Sequence, residues 1–140
     1  MIFKDRSEAG KKLVEILSKK NLKNAFVISL LRGGVVVGKE ISQRLKIKHL
    51  PLAVAKIPAP FQKELAIGAL CYDFTYLDPR IINSLKIDKQ AIRKQIKIAK
   101  EKFDVYQKKF KLKKSNYKLK NKTVIIVDDG VATGSTIKAS

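Results

Sequence analysis

The chain has 140 residues, of which 45% are hydrophobic, and its 31 Lys or Arg against 12 Asp or Glu give a formal net charge of +19. A single cysteine excludes an intrachain disulfide, and with a single histidine the chain has too few metal ligands for a zinc module. Its uncharged runs are at most eight residues long, far shorter than the roughly 20 residues that span a bilayer. The length fits one domain, and we predict a single domain over residues 1–140. The amino terminus has no apolar segment behind a basic one, so we expect no signal peptide and a cytoplasmic protein.

Helical and strand patterns alternate along the chain, which predicts an α/β fold with a parallel sheet. Asp5 and Ser7 can cap a first helix, whose apolar residues recur at helical spacing at Ala9, Leu13, Ile16 and Leu17. The patterns then predict a buried strand over 25–30, a turn over 31–34, a helix over about 35–45 and a second strand over 50–56. Pro58 and Pro60 impose extended or turn geometry, and residues 66–77 are predicted as a hairpin or an irregular excursion.

A long helix is predicted over about 87–111, because its apolar residues step by three and four to form one stripe: Ile92, Ile96, Ala99, Phe103, Tyr106 and Phe110. A solvated connection over 111–122 leads to the last strand, Thr123–Val127, which is apolar enough to be buried on both faces. We expect this strand inside the parallel sheet, near the strands over 25–30 and 50–55. A final helix is expected over 133–140.

Positive charge is concentrated in residues 80–122, which hold 16 basic and 3 acidic residues, a net charge of +13. Such a segment attracts polyanions, so it predicts weak, non-specific binding of nucleic acid. The alternative is a solvated lysine-rich face whose charge has no specific partner. No pattern of interleaved aromatic residues of the RNA-stacking kind accompanies the lysines.

The most informative segment is 123–136, where an apolar strand delivers two adjacent carboxylates, Asp128 and Asp129, to its carboxyl end. Ligands of open parallel sheets bind at this edge. The helix start that follows offers backbone N–H groups and hydroxyls that suit a phosphate, while two carboxylates suit a vicinal diol or Mg²⁺. Together these features predict a site for a sugar phosphate, and the alternative is a capped helix with a solvated Asp-Asp turn.

Residues 124–136 closely resemble the 5-phosphoribosyl 1-pyrophosphate (PRPP) motif of the type I phosphoribosyltransferase family: four apolar residues, two acids, an apolar-rich turn and Thr-Gly-Ser-Thr. The similarity extends to Phe3-Lys-Asp-Arg-Ser-Glu-Ala-Gly10, to Ser29-Leu-Leu-Arg-Gly-Gly34, and to Lys56-Ile57 with Glu64-Leu-Ala-Ile-Gly-Ala69. It covers essentially the whole chain in the expected order. The resemblance implies the family fold, a three-layer α/β structure around a parallel sheet with a small hood or loop excursion.

The resemblance implies a role for each matching position. Asp128 and Asp129 would hold the ribose 2′- and 3′-hydroxyls, directly or through Mg²⁺, the implied cofactor. The 5′-phosphate would be bound by Ala132, Thr133, Gly134, Ser135 and Thr136. The pyrophosphate would be bound by Arg32, Gly33 and Gly34, in a turn where family members often carry a non-proline cis peptide, with Lys56 at the end of the second strand as a further contact.

The implied reaction displaces pyrophosphate from ribose C1 by a nitrogenous acceptor of unknown identity. It requires no nucleophilic side chain, and we identify no acid–base residue for it in the sequence. His49 and Cys71 lie outside the matching motifs, and we expect both to be structural. Residues 58–65 fall where family members have a mobile loop that covers the site. Ala132 stands where purine-salvage members place an acid, so hypoxanthine and guanine are not expected as acceptors.

The chain ends within the helix that follows the PRPP motif, so the sequence predicts a domain that is incomplete at its carboxyl end. Two alternatives to an active transferase stay open. One is a non-catalytic module of this fold that binds RNA through residues 80–122, and the other is an inactive truncated remnant. We expect no membrane partner, and a homodimer is an alternative to a monomer.

Overall fold

The computed structural model describes residues 3–131 and 134–140. In these ranges the chain forms two compact units, one of residues 3–52 and 113–131 and the other of residues 53–112 and 134–140. The helices and strands follow in this order: α1 (Arg6–Leu17), β1 (Ala25–Leu30), α2 (Gly34–Leu45), β2 (Lys48–Leu52), β3 (Ala55–Pro58), β4 (Ala66–Cys71), β5 (Phe74–Leu77), α3 (Pro79–Ser84), α4 (Lys89–Lys109), β6 (Thr123–Val127) and α5 (Ser135–Ala139). No helix within the described ranges is both long and apolar enough to cross a membrane.

The first unit is built on a parallel sheet with the strand order β2-β1-β6. Strand β1 pairs with β2 on one side, starting with Phe26 opposite Lys48, and with β6 on the other, starting with Ala25 opposite Thr123. Because the three strands run in the same direction, their carboxyl ends lie at the same edge of the sheet. That edge is where open parallel sheets bind ligands.

Helix α2 covers one face of this sheet. Its buried Val37 and Ile41 form a core cluster with Val27 of β1 and Val127 of β6. Each fully buried aliphatic side chain of this kind stabilises the fold by about 1.5–3 kcal/mol relative to exposure. The cluster therefore packs α2 against β1 and β6.

The second unit contains an antiparallel sheet with the order β3-β4-β5. All six residues of β4 are buried, so this strand lies at the centre of the unit's core. Helix α4 is capped by Asp88, whose carboxylate accepts a hydrogen bond from the Ala91 N–H at 2.9 Å, and the helix buries Ala99 and Phe103. The Phe103 ring meets Tyr72 edge-on, with the ring centroids 5.3 Å apart.

Most of the predicted elements are confirmed. The α/β class with a parallel sheet is present, β1 and β6 have the predicted bounds, and the hairpin over 66–77 consists of β4 and β5. The long helix is shorter than predicted, and α3 precedes it. Helix α3 has a start signal in Asp78 and Pro79: the Asp78 carboxylate accepts from the Arg80 N–H at 3.0 Å, and proline takes the first helical position.

Two predictions about the strands are wrong. Residues 50–56 do not form one strand, because β2 ends at Leu52 in the parallel sheet and β3 begins at Ala55 in the antiparallel one. No polar residue separates the two strands in sequence, so apolar periodicity does not reveal the break. Strand β6 belongs to the parallel sheet beside β1, as predicted, but it is not buried on both faces, because Thr123 is exposed and Ile126 is 39% exposed.

His49, the one histidine of the chain, is expected to make the stability of the first unit depend on pH. Its Nε2 lies 2.6 Å from the Oγ of the buried Ser29, and burial lowers the pKa of the imidazole. The pKa of His49 is lower in the folded state than in the unfolded state. The contribution of the neutral His49 to the free energy of unfolding is therefore complete above the unfolded pKa of about 6.5, and it is lost as the pH falls through the folded pKa. We expect the urea concentration at the midpoint of unfolding to be lower at about pH 5 than at about pH 7.5 in the wild type. In His49→Gln this difference should be much smaller. Equal decreases in the two proteins would contradict this role for His49.

Candidate functional site

Two segments leave the parallel sheet at the same edge. Strand β1 continues into the turn of residues 31–34, and β6 continues into Asp128 and Asp129. Because β1 and β6 are hydrogen-bonded neighbours, with Ser29 opposite Val127, the turn and the two carboxylates lie side by side. The structure thus brings together these predicted site residues: Arg32, Gly33, Gly34, Asp128 and Asp129.

The turn begins with a cis peptide bond between Leu31 and Arg32, as the family resemblance implies. A hydrogen bond from the Leu31 N–H to the Leu52 carbonyl oxygen, at 2.9 Å, ties the start of the turn to the end of β2. The Arg32 side chain is exposed to solvent. Its guanidinium is therefore accessible to a ligand at the edge of the sheet.

Two glycines bring the turn against the end of β6. A β-carbon at Gly33 would collide with the Asp129 carboxylate, and a β-carbon at Gly34 would lie 2.7 Å from the Val127 carbonyl oxygen. Only residues without a side chain allow this approach, since real β-carbons essentially never come so close to another heavy atom. The glycine pair is thus required by the contact between the two segments.

Asp129 is held by a residue near the amino terminus. The Nε and Nη2 atoms of Arg6 both donate to its Oδ2, at 2.9 and 2.6 Å. The Arg6 guanidinium therefore holds the pKa of the Asp129 carboxyl below its usual range. Asp128 adds a local hydrogen bond, because its Oδ1 accepts the Asp129 N–H at 2.9 Å. Asp129 is thus charged and oriented at neutral pH.

Two cavities open at this edge, and the Arg6–Asp129 ion pair lines both of them. The first cavity, of about 510 Å³, is also lined by Arg32, Gly33 and Val36. The second cavity, of about 410 Å³, is more apolar and is also lined by Phe3, Asp5, Ala9, Leu13, Val37 and Asp128. Because the first cavity has two guanidinium groups in its wall, it suits an anionic ligand.

Lys56 belongs to the second unit. It lies on β3 with an exposed side chain, within an antiparallel sheet and not at the end of a parallel strand as predicted. The difference follows from the break between β2 and β3. The loop expected over 58–65 starts at the last residue of β3, and Phe61 within it is 95% exposed.

The predicted 5′-phosphate segment also falls in the second unit, as far as it is described. Gly134 has a left-handed φ of 74° and directly precedes α5. Ser135, the first residue of α5, is 1% exposed, and Thr136 is half-buried. Helix α5, Ser135–Ala139, is shorter than the helix predicted over 133–140. Ala132 and Thr133 lie outside the described residues.

The two carboxylates, Asp128 and Asp129, are donors of the kind that would hold a Mg²⁺ ion. Among the described residues, no three His, Cys, Asp or Glu side chains are placed to hold a metal ion by themselves. Mg²⁺ is commonly bound by one or two carboxylates together with water and substrate phosphates. Asp128 and Asp129 supply such carboxylates, and an oxygen-only set of donors suits Mg²⁺ better than zinc.

Arg6 is the site residue that sequence reasoning missed. A signal for it existed, because Arg6 lies in the segment 3–10 that resembles the family, but its partner is 123 positions away in the sequence. The two residues expected to be structural are placed accordingly. His49 pairs with the buried Ser29, and Cys71 is buried in β4.

Similar proteins were found by sequence and by structure, although no protein-family model matches the chain. Two curated proteins of Mycobacterium tuberculosis are each 33% identical to this chain over 144 residues, which include 99% of the chain. They are named "Putative phosphoribosyl transferase Rv0571c", from strain H37Rv, and "Putative phosphoribosyl transferase MT0597", from strain CDC 1551. The chain spans 32% of the length of these relatives. The crystal structure of TT1426 from Thermus thermophilus is 32% identical and matches with a TM-score of 0.65, covering 99% of this chain and 66% of that one.

Proposed function

We infer from the match to two proteins named putative phosphoribosyl transferase that the chain belongs to the phosphoribosyltransferase family. From this premise we propose that it binds PRPP together with Mg²⁺ and transfers phosphoribose to a nitrogenous acceptor. One observation carries the proposal: the pair Asp128 and Asp129 meets the glycine turn of Gly33 and Gly34 at the ligand-binding edge of a parallel sheet. A carboxylate pair beside an anion-binding turn is complementary to a ribose diol beside a pyrophosphate.

Each part of the site takes one part of PRPP. The carboxylates accept hydrogen bonds from the ribose hydroxyls, and the turn binds the pyrophosphate. Arg32 supplies a planar fork of N–H donors, and the glycines allow the turn to lie directly against the end of β6. The 5′-phosphate is assigned to residues 132–136, and a further phosphate contact to Lys56, on the sequence match.

The reaction breaks the bond between ribose C1 and the pyrophosphate oxygen, and the electron pair leaves with pyrophosphate. The acceptor nitrogen forms the new bond to C1. Because the transition state resembles an oxocarbenium ion, the side chains act by holding both ends of PRPP and by placing donors at the departing charge. Asp128 and Asp129 would hold Mg²⁺, which would supply charge neutralisation on the departing pyrophosphate.

Substitution of Asp129 tests the proposal. Asp129→Asn keeps the shape of the side chain and removes its charge, so the ribose hydroxyl loses a charged acceptor. We expect calorimetry with PRPP and Mg²⁺ to show binding weaker by roughly 1–3 kcal/mol, about 5- to 150-fold. Asp104→Asn, which changes an exposed carboxylate on α4, is the matched control and should bind like the wild type. No wild-type binding at millimolar PRPP, or a silent Asp129→Asn, would show that the site is wrongly assigned.

A second candidate function is the binding of RNA through α4. The helix exposes a series of basic side chains, among them Arg93, Lys94, Lys97 and Lys100. Its aromatic Phe103 is buried in the core, so the middle of the helix offers phosphate contacts without a stacking platform. This arrangement favours weak, salt-dependent and sequence-independent binding over recognition of a particular RNA.

A further inference from the structure

The motif of residues 3–10 fixes helix α1 against α2. The Ser7 hydroxyl donates a hydrogen bond to Oε1 of Glu40 on α2, at 2.7 Å. A β-carbon at Gly10 would lie 2.7 Å from the Glu40 β-carbon, so the two helices approach closely at this point. These contacts set the position of the first turn of α1. Arg6, the first residue of that helix, is thereby placed at the edge of the sheet.

The orientation of the Asp129 carboxylate is restrained from two sides. Both donors of the Arg6 fork, Nε and Nη2, bind the same oxygen, Oδ2, and neither bond uses Oδ1. Oδ2 is also the atom that lies against Gly33, where any side chain would collide with it. Arg6 and the backbone of the turn therefore limit the rotation of the carboxylate together.

Arg6 also sets the charge of the cavity wall. Two adjacent carboxylates repel a ligand that carries several phosphate charges. The Arg6 cation offsets the charge of Asp129 in the same cavity that Arg32 lines. Because the Arg6 side chain is 58% exposed, the ion pair adds little to the stability of the fold. Its position in the cavity wall points to a role in ligand binding.

We propose that Arg6 is a positioning residue of the PRPP site. It holds the Asp129 carboxylate in the orientation that accepts a hydrogen bond from a ribose hydroxyl. Its positive charge also reduces the repulsion between that carboxylate and the phosphates of PRPP. This inference rests on the proposed function and adds one residue to it. Arg6 acts on ligand binding through its ion pair with Asp129.

Single substitutions measure the role of Arg6. We expect Arg6→Ala to weaken PRPP binding about tenfold, which corresponds to roughly 1.4 kcal/mol. Arg6→Lys keeps the charge but not the fork, so it should recover part of the loss. Lys19→Ala is the matched control, because Lys19 is an exposed cation of the same unit that lines neither cavity, and the affinity of this variant should be that of the wild type. Melting temperatures should stay close to the wild type, and a large decrease in Arg6→Ala and Arg6→Lys alike would make the role structural and overturn the proposal.

A double-mutant cycle shows whether Arg6 acts through Asp129. In the Asp129→Asn background, Arg6→Ala should weaken binding by less than about twofold. An undiminished loss in that background would overturn the proposal in favour of a direct contact between Arg6 and PRPP. Wild-type affinity of Arg6→Ala, in a wild-type protein that binds PRPP, would overturn this inference alone. Absence of binding by the wild type would overturn the proposed function and this inference together.

Discussion

Replacement of Gly33 by alanine is expected to remove most PRPP binding and to leave the fold intact. Gly33 has φ −65° and ψ −37°, a backbone conformation that alanine adopts freely, so the substitution adds only a methyl group. That methyl group would take the space of the Asp129 carboxylate and break its pair with Arg6. We expect calorimetry to show a loss of about 2–3 kcal/mol, roughly 30- to 150-fold in affinity.

The matched control for Gly33→Ala is Gly130→Ala. No atom of the described residues lies within 4 Å of a β-carbon built at Gly130, although this glycine directly follows Asp129. The affinity of Gly130→Ala for PRPP should equal that of the wild type. The melting temperature of this variant should stay unchanged or rise slightly, because alanine reduces the conformational freedom of the unfolded chain. If Gly33→Ala bound PRPP as well as Gly130→Ala does, the contact between the turn and Asp129 would have no part in binding.

Replacement of Gly68 by alanine is expected to destabilise the second unit strongly. Gly68 is buried in β4 opposite Leu77, and a β-carbon there would collide with the Tyr76 carbonyl oxygen. A backbone carbonyl cannot rotate away as a side chain can, so β4 and β5 must separate. Overpacking of this kind costs about 1–3 kcal/mol, and we expect the melting temperature to fall by about 5–10 °C.

Phe61→Ala provides the reference for Gly68→Ala. Phe61 is 95% exposed in the loop between β3 and β4, so its removal changes little packing. The variant should melt within about 2 °C of the wild type, as surface substitutions usually do. A Gly68→Ala protein that melts at the same temperature as the Phe61 variant would refute the close approach of β4 and β5.

The elements that the sequence predicts best have strong local signals at their ends. Strand β1 is a short apolar run before a glycine turn, and α1 is capped by Asp5, whose carboxylate accepts a hydrogen bond from the Glu8 N–H at 2.8 Å. The boundary between β2 and β3 has no such signal. It depends on which partner each half meets, β1 for one and β4 for the other. Periodicity carries no information about these distant partners.

The candidate site likewise contains residues that local motifs predict and residues whose placement depends on distant parts of the chain. Asp128, Asp129 and the glycine turn are local motifs, and the parallel pairing of β1 with β6 brings them to one edge. Arg6 escapes a sequence-based prediction because its partner Asp129 is remote in the chain. Lys56 is predicted at the end of a parallel strand and lies in an antiparallel sheet, because the break between β2 and β3 is invisible in an apolar run.

The proposed binding of PRPP at the edge of the parallel sheet can be tested at each backbone amide. For this test, ¹⁵N-labelled protein is titrated with PRPP and Mg²⁺, and ¹H–¹⁵N NMR spectra are recorded. We expect the largest changes in chemical shift at Gly33, Gly34 and Asp129, with the amides of α4 nearly unchanged at physiological salt. Changes confined to the basic residues of α4, or no changes at millimolar PRPP, would contradict a PRPP site at this edge.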